Sequence, residues 1–320
     1  MGKAHRPRRG SMQFWPRKRT RHSLVRVRSW ADENKAKLLG FIAYKAGMTH
    51  VLAMDNRPKS LTKGQDISIP TTIVECPPMT VYGVVFYKKY LYGVRKFASM
   101  LTKNLNKDLA KKIQLPKKAL KSINEITEFE DLRLLVHSNP KSVNIGTKRP
   151  KCMEIALGGS KEEKLNYAKE VLGKELSIND VFDEGAQIDL RGVTKGKGFQ
   201  GTVKRYGVKI RPPKSEKTKR GIGNLGAWTP KRVDFRVPQP GKMGYHQRTE
   251  YNKQILKISD NQNEINPNGG IKNYGIVNGT YALIKGSVLG PKKRSFLITK
   301  SIRPNKKMSK DGLQITFISK

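Results

Sequence analysis

Residues 192–207 read GVTKGKGFQGTVKRYG, and their reading decides between two fold classes. Inside the stretch, GKGFQG fits G-x-G-x-x-G, the pattern that carries a dinucleotide pyrophosphate at a helix N-terminus in a doubly wound α/β sheet. The preceding QIDLRGV has the strand character that such a site requires. The downstream context does not fit. The glycines should turn directly into a helix several turns long, but TVKRYGVKIRPP holds β-branched residues, Gly207 and two prolines. An acid about 20 residues on should hold the ribose. Gly221 stands there, and the nearest acid, Glu216, lies in a lysine-rich loop. A Walker loop fails as well, because Gly192 is not followed by G-K-[ST] at the required offset. What remains is simpler. Gly196, Gly198 and Gly201 let another surface approach the backbone closely. Lys195, Lys197, Lys204 and Arg205 bring charge to the same place. Amides and lysines together suit a phosphate backbone. The plainer alternative is a glycine-rich bulge with solvated lysines.

The charge points the same way. Among 320 residues, 65 Lys+Arg stand against 25 Asp+Glu, a net of +40. The length allows one large domain or two to three smaller ones. At 36% hydrophobic residues the chain can bury a real core. A free compact protein with this excess repels itself, so a polyanionic partner is expected. Nucleic acid comes first, since each phosphate neutralised releases condensed counterions. A membrane surface ranks low: the sequence has no run of about 20 apolar residues, no signal-peptide core and no dominant basic amphipathic helix. Cys76 and Cys152 are isolated, which suits a reducing compartment and excludes a Cys-rich zinc site. His5, His22, His50, His137 and His246 show no metal-binding spacing, and the basic segments hold no carboxylate pair. No enzyme, metal or cofactor is therefore expected. His246, alone among Arg and Tyr, reads as a hydrogen-bonding contact.

Along the chain, residues 1–30 hold ten Lys/Arg and no acid. This stretch is too poor in aliphatics to fold alone and reads as an arm ordered by its partner. Phe14, Trp15 and Trp30 could stack on bases there or anchor the arm. LLGFIAYKAGMTHVLAMD reads as two short strands around a Gly turn. TTIVECPPMTVYGVVFYKKYLYG adds strands broken at Pro77-Pro78, and this spacing suggests a barrel or a sandwich. Residues 95–184 are near charge balance, with 18 Lys/Arg and 13 Asp/Glu. Phe97, Leu101, Leu105 and Leu109 recur every four residues, which predicts a helix stopped at Pro116. Ser160 and Glu163 form a capping box before LNYAKEVL and Gly173, a second helix. Residues 191–257 hold 18 Lys/Arg against three acids in a Gly- and Pro-rich stretch with little periodicity. A loop this long is functional or disordered. IVNGTYALIKGSVLG, KRSFLITKSI and LQITFIS close the chain as strands. Trp228, in GNLGAWTPKR, either folds back into a core or packs into RNA, and its glycine and basic neighbours favour RNA.

Seven stretches in order then carry a resemblance: GSMQFWPRKR, GFIAYKAGMTHV, TTIVECPPM, GVTKGKGFQGTVKRYG, GAWTPKRV, GKMGYHQRTEYNK and KKRSFLITKS. The chain resembles the universal large-subunit ribosomal protein L-three family of archaeal and eukaryotic type. The resemblance implies a β-rich α+β fold: a six-stranded β-barrel of the translation-protein type over 37–94 and 185–320. A basic N-terminal arm over 1–36, an inserted α/β segment over 95–184 and a long irregular loop extension over about 205–257 complete it. It implies binding to the 3′-terminal region of large-subunit rRNA, a role early in subunit assembly, and an extension near the peptidyl transferase centre that influences accommodation of aminoacyl-tRNA. Trp228 matches the family's tryptophan near the extension tip. The partners implied are this rRNA and neighbouring ribosomal proteins, in the cytoplasm, with no membrane and no small-molecule substrate. The residues expected on RNA are Arg8, Arg9, Arg17, Lys18, Arg19 and Arg21 in the arm. With them go Lys195, Lys197, Lys204, Arg205, Arg211, Lys217, Lys219, Arg220, Trp228, Lys231, Arg232, Lys242, His246, Arg248 and Lys253. Two departures stand out. Lys219 occupies the place of a histidine that many eukaryotic members carry, sometimes methylated, so that modification is not expected. The family's P-L-G-G-F is PNGGI here, over 267–271. A non-ribosomal basic protein that binds or compacts nucleic acid is the alternative.

Overall fold

The run GFIAYKAGMTHVLAM forms one continuous strand, β1 (Gly40–Met54), rather than two around a turn. Its register against the next strand shifts between Lys45 and Gly47, so the glycine marks a bulge. A Cβ on Gly47 would lie 2.8 Å from Ile271 Cγ2. The departure PNGGI thus fills its place, with Ile271 packed against the second of two hydrophobic clusters. A computed structural model of the chain describes residues 8–57, 60–116, 123–126, 128–143, 145–215, 217–308 and 313–320. Residues 1–7 of the arm, His5 among them, and Glu216 lie outside the described residues.

The fold is β-rich with few helices. After β1 come β2 (Asp66–Glu75), β3 (Met79–Tyr90), β4 (Gly93–Leu101), β5 (Asp131–Ser138), β6 (Cys152–Ala156) and β7 (Glu175–Leu176). Then follow β8 (Gln187–Val193), β9 (Gly196–Gln200), β10 (Gly241–Gly244), β11 (Gln247–Ser259), β12 (Tyr281–Lys285), β13 (Ser295–Lys300) and β14 (Gln314–Ile318). One sheet runs β13-β8-β11-β12-β2-β1-β14, and β13 also pairs with β1. A second runs β4-β3-β5-β6 with β7 against β3, and β9 pairs with β10. Pro77 and Pro78 fall between β2 and β3, as their missing amides and fixed φ require.

Helix α1 (Lys161–Val171) carries the full capping box: Ser160 Oγ accepts from Glu163 N–H, and Glu163 accepts from Ser160 N–H. The helix expected over Phe97–Leu109 is absent. Phe97 and Leu101 lie on β4, paired with β3 through a tight turn at Gly93, and Leu109 sits in a short 3₁₀ turn. A spacing of four is also an even number, so it satisfies the two-residue period of a strand. β11 was not legible at all, because its first half, QRTEYNK, has no apolar alternation.

The chain divides into two compact units, Met1–His22 with Val193–Gln247, and Ser23–Gly192 with Arg248–Lys320. The second holds both hydrophobic clusters. Ala282 and Ile284 of β12 enter the first cluster, and Tyr281 and Leu283 enter the other. That alternation belongs to a strand buried on both faces. Buried Glu75 at the end of β2 pins a long loop: it accepts from Tyr274 Oη–H and from the amides of Asn278 and Gly279. Burial raises its carboxyl pKa above the ordinary 4.5 despite these bonds. Protonation is thus easier in the folded than in the unfolded chain. This contribution is fully present below about pH 4.5 and is lost as pH rises through the raised folded value. Urea denaturation across this range should show the parent losing stability against Glu75→Gln as pH rises. Parallel profiles would contradict the assignment.

Candidate nucleic-acid interface

The unit made of Met1–His22 and Val193–Gln247 carries 22 Lys/Arg against two acids, half of the chain's net charge. With so few carboxylates, its arginines turn to backbone carbonyls. Arg205 donates from Nε to Lys242 O (3.2 Å), from Nη1 to Gln239 O (2.8 Å) and from Nη2 to Arg17 O (3.1 Å). Arg17 donates to Ser11 O at 2.9 Å, and its guanidinium lies 4.5 Å from the centre of the Tyr206 ring. Arg8 donates to Arg236 O at 2.8 Å and covers Trp15, which meets Phe235 edge-on at 5.2 Å. Gly10 permits this closure: its φ is +79°, and a Cβ there would strike the Tyr206 ring at 2.4 Å. Arm residues 8–22 therefore find their packing partner in residues 193–247 of the same unit, anchored by Trp15, whereas arm residues 23–36 belong to the second unit, where Val27 is buried in the first hydrophobic cluster and Trp30 packs against it.

His246 locks the arm's other end. Its Nε2 accepts from Gly244 N–H at 3.1 Å, so Nδ1 carries the proton and donates to Lys18 O at 3.0 Å. Thr20 N–H adds a backbone bond to Tyr245 O. Both ring nitrogens are thus committed, as expected of a hydrogen-bonding contact rather than a base. Among described residues of this unit, Asp234 pairs with Arg236, whose guanidinium holds its carboxyl at about 2.

The glycine motif takes a form unlike a dinucleotide site. Gly196 to Gln200 form β9 against β10, and only a five-residue helix, α2 (Thr202–Tyr206), follows, ended by Gly207 at φ +68°. A Cβ on Gly198 or Gly201 would meet nothing within 4 Å, and one on Gly196 would meet only the Tyr245 side chain at 3.8 Å. These glycines present open backbone beside exposed Lys195 and Lys197. Arg19, Arg21, Gly196, Gly198, Lys242 and Tyr245 line a cleft of about 630 Å³. No helix or strand occurs among the described residues of 208–240. Trp228 lies there, 85% exposed.

A profile of the family described as Ribosomal protein L3 matches residues 1–320. The chain belongs to the ribosomal protein L3 family. It is 47% identical to the large ribosomal subunit protein uL3 of Methanocaldococcus jannaschii, over 98% of this chain and 96% of that protein. It is 44% identical to the uL3 proteins of Methanothrix thermoacetophila (100% and 98% covered) and Archaeoglobus fulgidus (99% and 98%). The L3 family is one of ribosomal proteins, not of enzymes.

Within this L3-family chain, the residues expected on RNA fall into three groups. Arg8, Arg9, Lys18, Arg19, Arg21, Lys195, Lys197, Lys204, Lys217, Lys219, Arg220, Lys231, Arg232, Lys242 and Trp228 are exposed on one unit. Arg17, Arg205, Arg211 and His246 belong to that unit but are half-buried, and Arg211 donates to Ile222 O at 2.7 Å. Their bonds hold the surface together. Arg248 and Lys253 lie on β11 in the other unit, where Lys253 is 3.7 Å from Glu250. Phe199, 70% exposed between Lys197 and Gln200, and exposed Phe235 were missed. Phe199 is an aromatic flanked by glycine and lysine, and that flanking was the available signal.

Arg205→Ala removes three charge-assisted bonds, each worth about 1.5–3 kcal/mol. Trypsin should then cleave at Arg17 to Arg21 severalfold faster than in the parent. Arg205→Lys, which keeps the charge and loses the planar fork, should also be faster. Equal cleavage rates would show that Arg205 does not hold the arm.

Proposed function

We propose that this chain is a structural constituent of the large ribosomal subunit that binds its rRNA as part of a cytoplasmic ribonucleoprotein. Relatives of nearly the same length are named large ribosomal subunit proteins. The observation that carries the reading is the surface itself: half the net charge, open glycines and exposed Trp228 on one unit. Lysines and amides would position the protein on phosphates, and Trp228 and Phe199 would stack on unpaired bases, the usual route to RNA selectivity. The finer reading follows the resemblance: contact with the 3′-terminal rRNA region, assistance early in subunit assembly, an extension approaching the peptidyl transferase centre, and neighbouring large-subunit proteins as partners.

We read the strands as a closed six-stranded barrel, supported by the succession β1-β2-β12-β11-β8-β13 and the return of β13 to β1. On this reading the barrel spans 37–94 and 185–320, with the arm at 1–36, the insertion at 95–184 and the extension at about 205–257. No small-molecule substrate or cofactor enters the reading.

In a sucrose gradient the tagged chain should sediment with the large subunit and stay bound through a moderate salt wash. Recovery only from the free soluble pool would sink the proposal. Lys195→Ala/Lys197→Ala should weaken RNA binding and flatten its salt dependence by about 0.7 per lost phosphate contact, whereas an unchanged slope would mean that these lysines are merely solvated. Trp228→Ala should leave the β core folded and slow translation. A lowered melting temperature with normal translation would place Trp228 in a core.

A further inference from the structure

We propose that the β3–β4 hairpin, far in sequence from the basic arm and extension, is a second RNA-binding element that seats an unpaired ribonucleotide segment. The proposal rests on the ribosomal reading for the class of its partner, and on the hairpin's own geometry for its place. Residues 88–97, KKYLYGVRKF, hold four cations and no acid. Apart from half-buried Lys88, all of them are exposed. β4 ends its sheet order, so this ribbon is an edge.

The register sets the face. Lys88 stands directly opposite Arg95, and Tyr90 directly opposite Gly93. Successive side chains alternate faces, so Tyr90 lies on the same face as the Lys88–Arg95 pair. Phe97 is the bulged residue of β4, and the Lys88 ammonium lies 5.6 Å from the centre of its ring. One face thus holds Tyr90, Lys88, Arg95 and Phe97, with aromatic rings at either end of two cations. At the turn, Leu91 is 99% and Tyr92 89% exposed.

This arrangement disfavours the free protein. Like charges directly opposite across a strand pair are destabilising, and exposed aromatics at an edge gain nothing from water. Among the described residues, Lys88 has one acidic partner, Glu128 at 2.7 Å, on a side chain 78% exposed. Such surface pairs contribute little and yield readily to a phosphate. Arg95 has no acid opposite it. Instead, the face matches a nucleotide chain: cations for the phosphates, and rings for two bases on which stacking tolerates any sequence. Every nucleotide of an unpaired strand carries both a phosphate and a flat base, whereas an acidic peptide offers rings only at its occasional aromatic residues.

The test uses the full chain, with Lys88→Ala/Arg95→Ala and Tyr90→Ala/Phe97→Ala. The probe is deproteinised large-subunit rRNA at about 0.15 M salt. Each variant should bind roughly tenfold more weakly. The charge variant should show a shallower salt slope, and the aromatic variant an unchanged one. The charge variant should melt no lower than the parent, since removing the opposed cations relieves repulsion. In irradiated subunits containing the unaltered chain, which does not depend on a variant folding, ribonucleotide adducts should fall on Tyr90 or Tyr92. Unchanged affinity in both variants, or crosslinks from the hairpin to protein alone, would overturn the proposal. If Lys195→Ala/Lys197→Ala weakens binding and the hairpin variants do not, this inference falls while the ribosomal reading stands. A parent chain that binds no rRNA would end both.

Discussion

In the unit formed by Met1–His22 and Val193–Gln247, guanidinium groups bind backbone carbonyls because carboxylates are almost absent. Arg205 bridges three carbonyls, drawn from Arg17, Gln239 and Lys242. A carbonyl carries only a partial charge, so these bonds organise the cations without neutralising them. The unit is therefore ordered and still strongly positive. The RNA-binding role proposed for this unit follows from that combination. The contrast with the second unit is physical: nearly all the described ion pairs, among them Lys164–Asp131 and Lys257–Glu264, lie there, beside two hydrophobic clusters.

The arm and the extension explain each other. Neither has the aliphatic content to form a core of its own. Trp15 against Phe235, Tyr206 against Arg17, and His246 against Lys18 substitute aromatic and polar contacts for one. Such contacts are individually weak, and self-repulsion works against them. A polyanion that screens the charge should tighten the whole set, so binding and ordering are coupled through electrostatics.

Much of this was legible in the sequence where a motif carried its own context. The residues after GKGFQG excluded a dinucleotide helix, and the structure has only α2 there. Ser160 and Glu163 specified α1 through two local bonds. Local pattern failed where pairing at long range decided the outcome. Phe97, Leu101, Leu105 and Leu109 fitted a helix by spacing, but pairing with β3 gave β4 over the first two. β11 begins with polar residues whose strand geometry is fixed by neighbours distant in sequence. At the candidate site, the basic residues were evident from composition, while their division into bridging and exposed ones was not. Arg17, Arg205 and Arg211 look no different in sequence from exposed Arg19 or Arg220, and only the positions of carbonyl oxygens separate them.

The exposed lysines of the arm, the glycine motif and the extension should face RNA in the assembled particle. Acetylation footprinting measures this directly, by comparing the reactivity of Lys18, Lys195, Lys197, Lys204, Lys219, Lys231 and Lys242 in the free chain and in the large subunit. Most of them should become strongly protected in the subunit, and ribonuclease treatment should restore their reactivity. Equal reactivity in the two states, or protection that survives removal of the RNA, would contradict it.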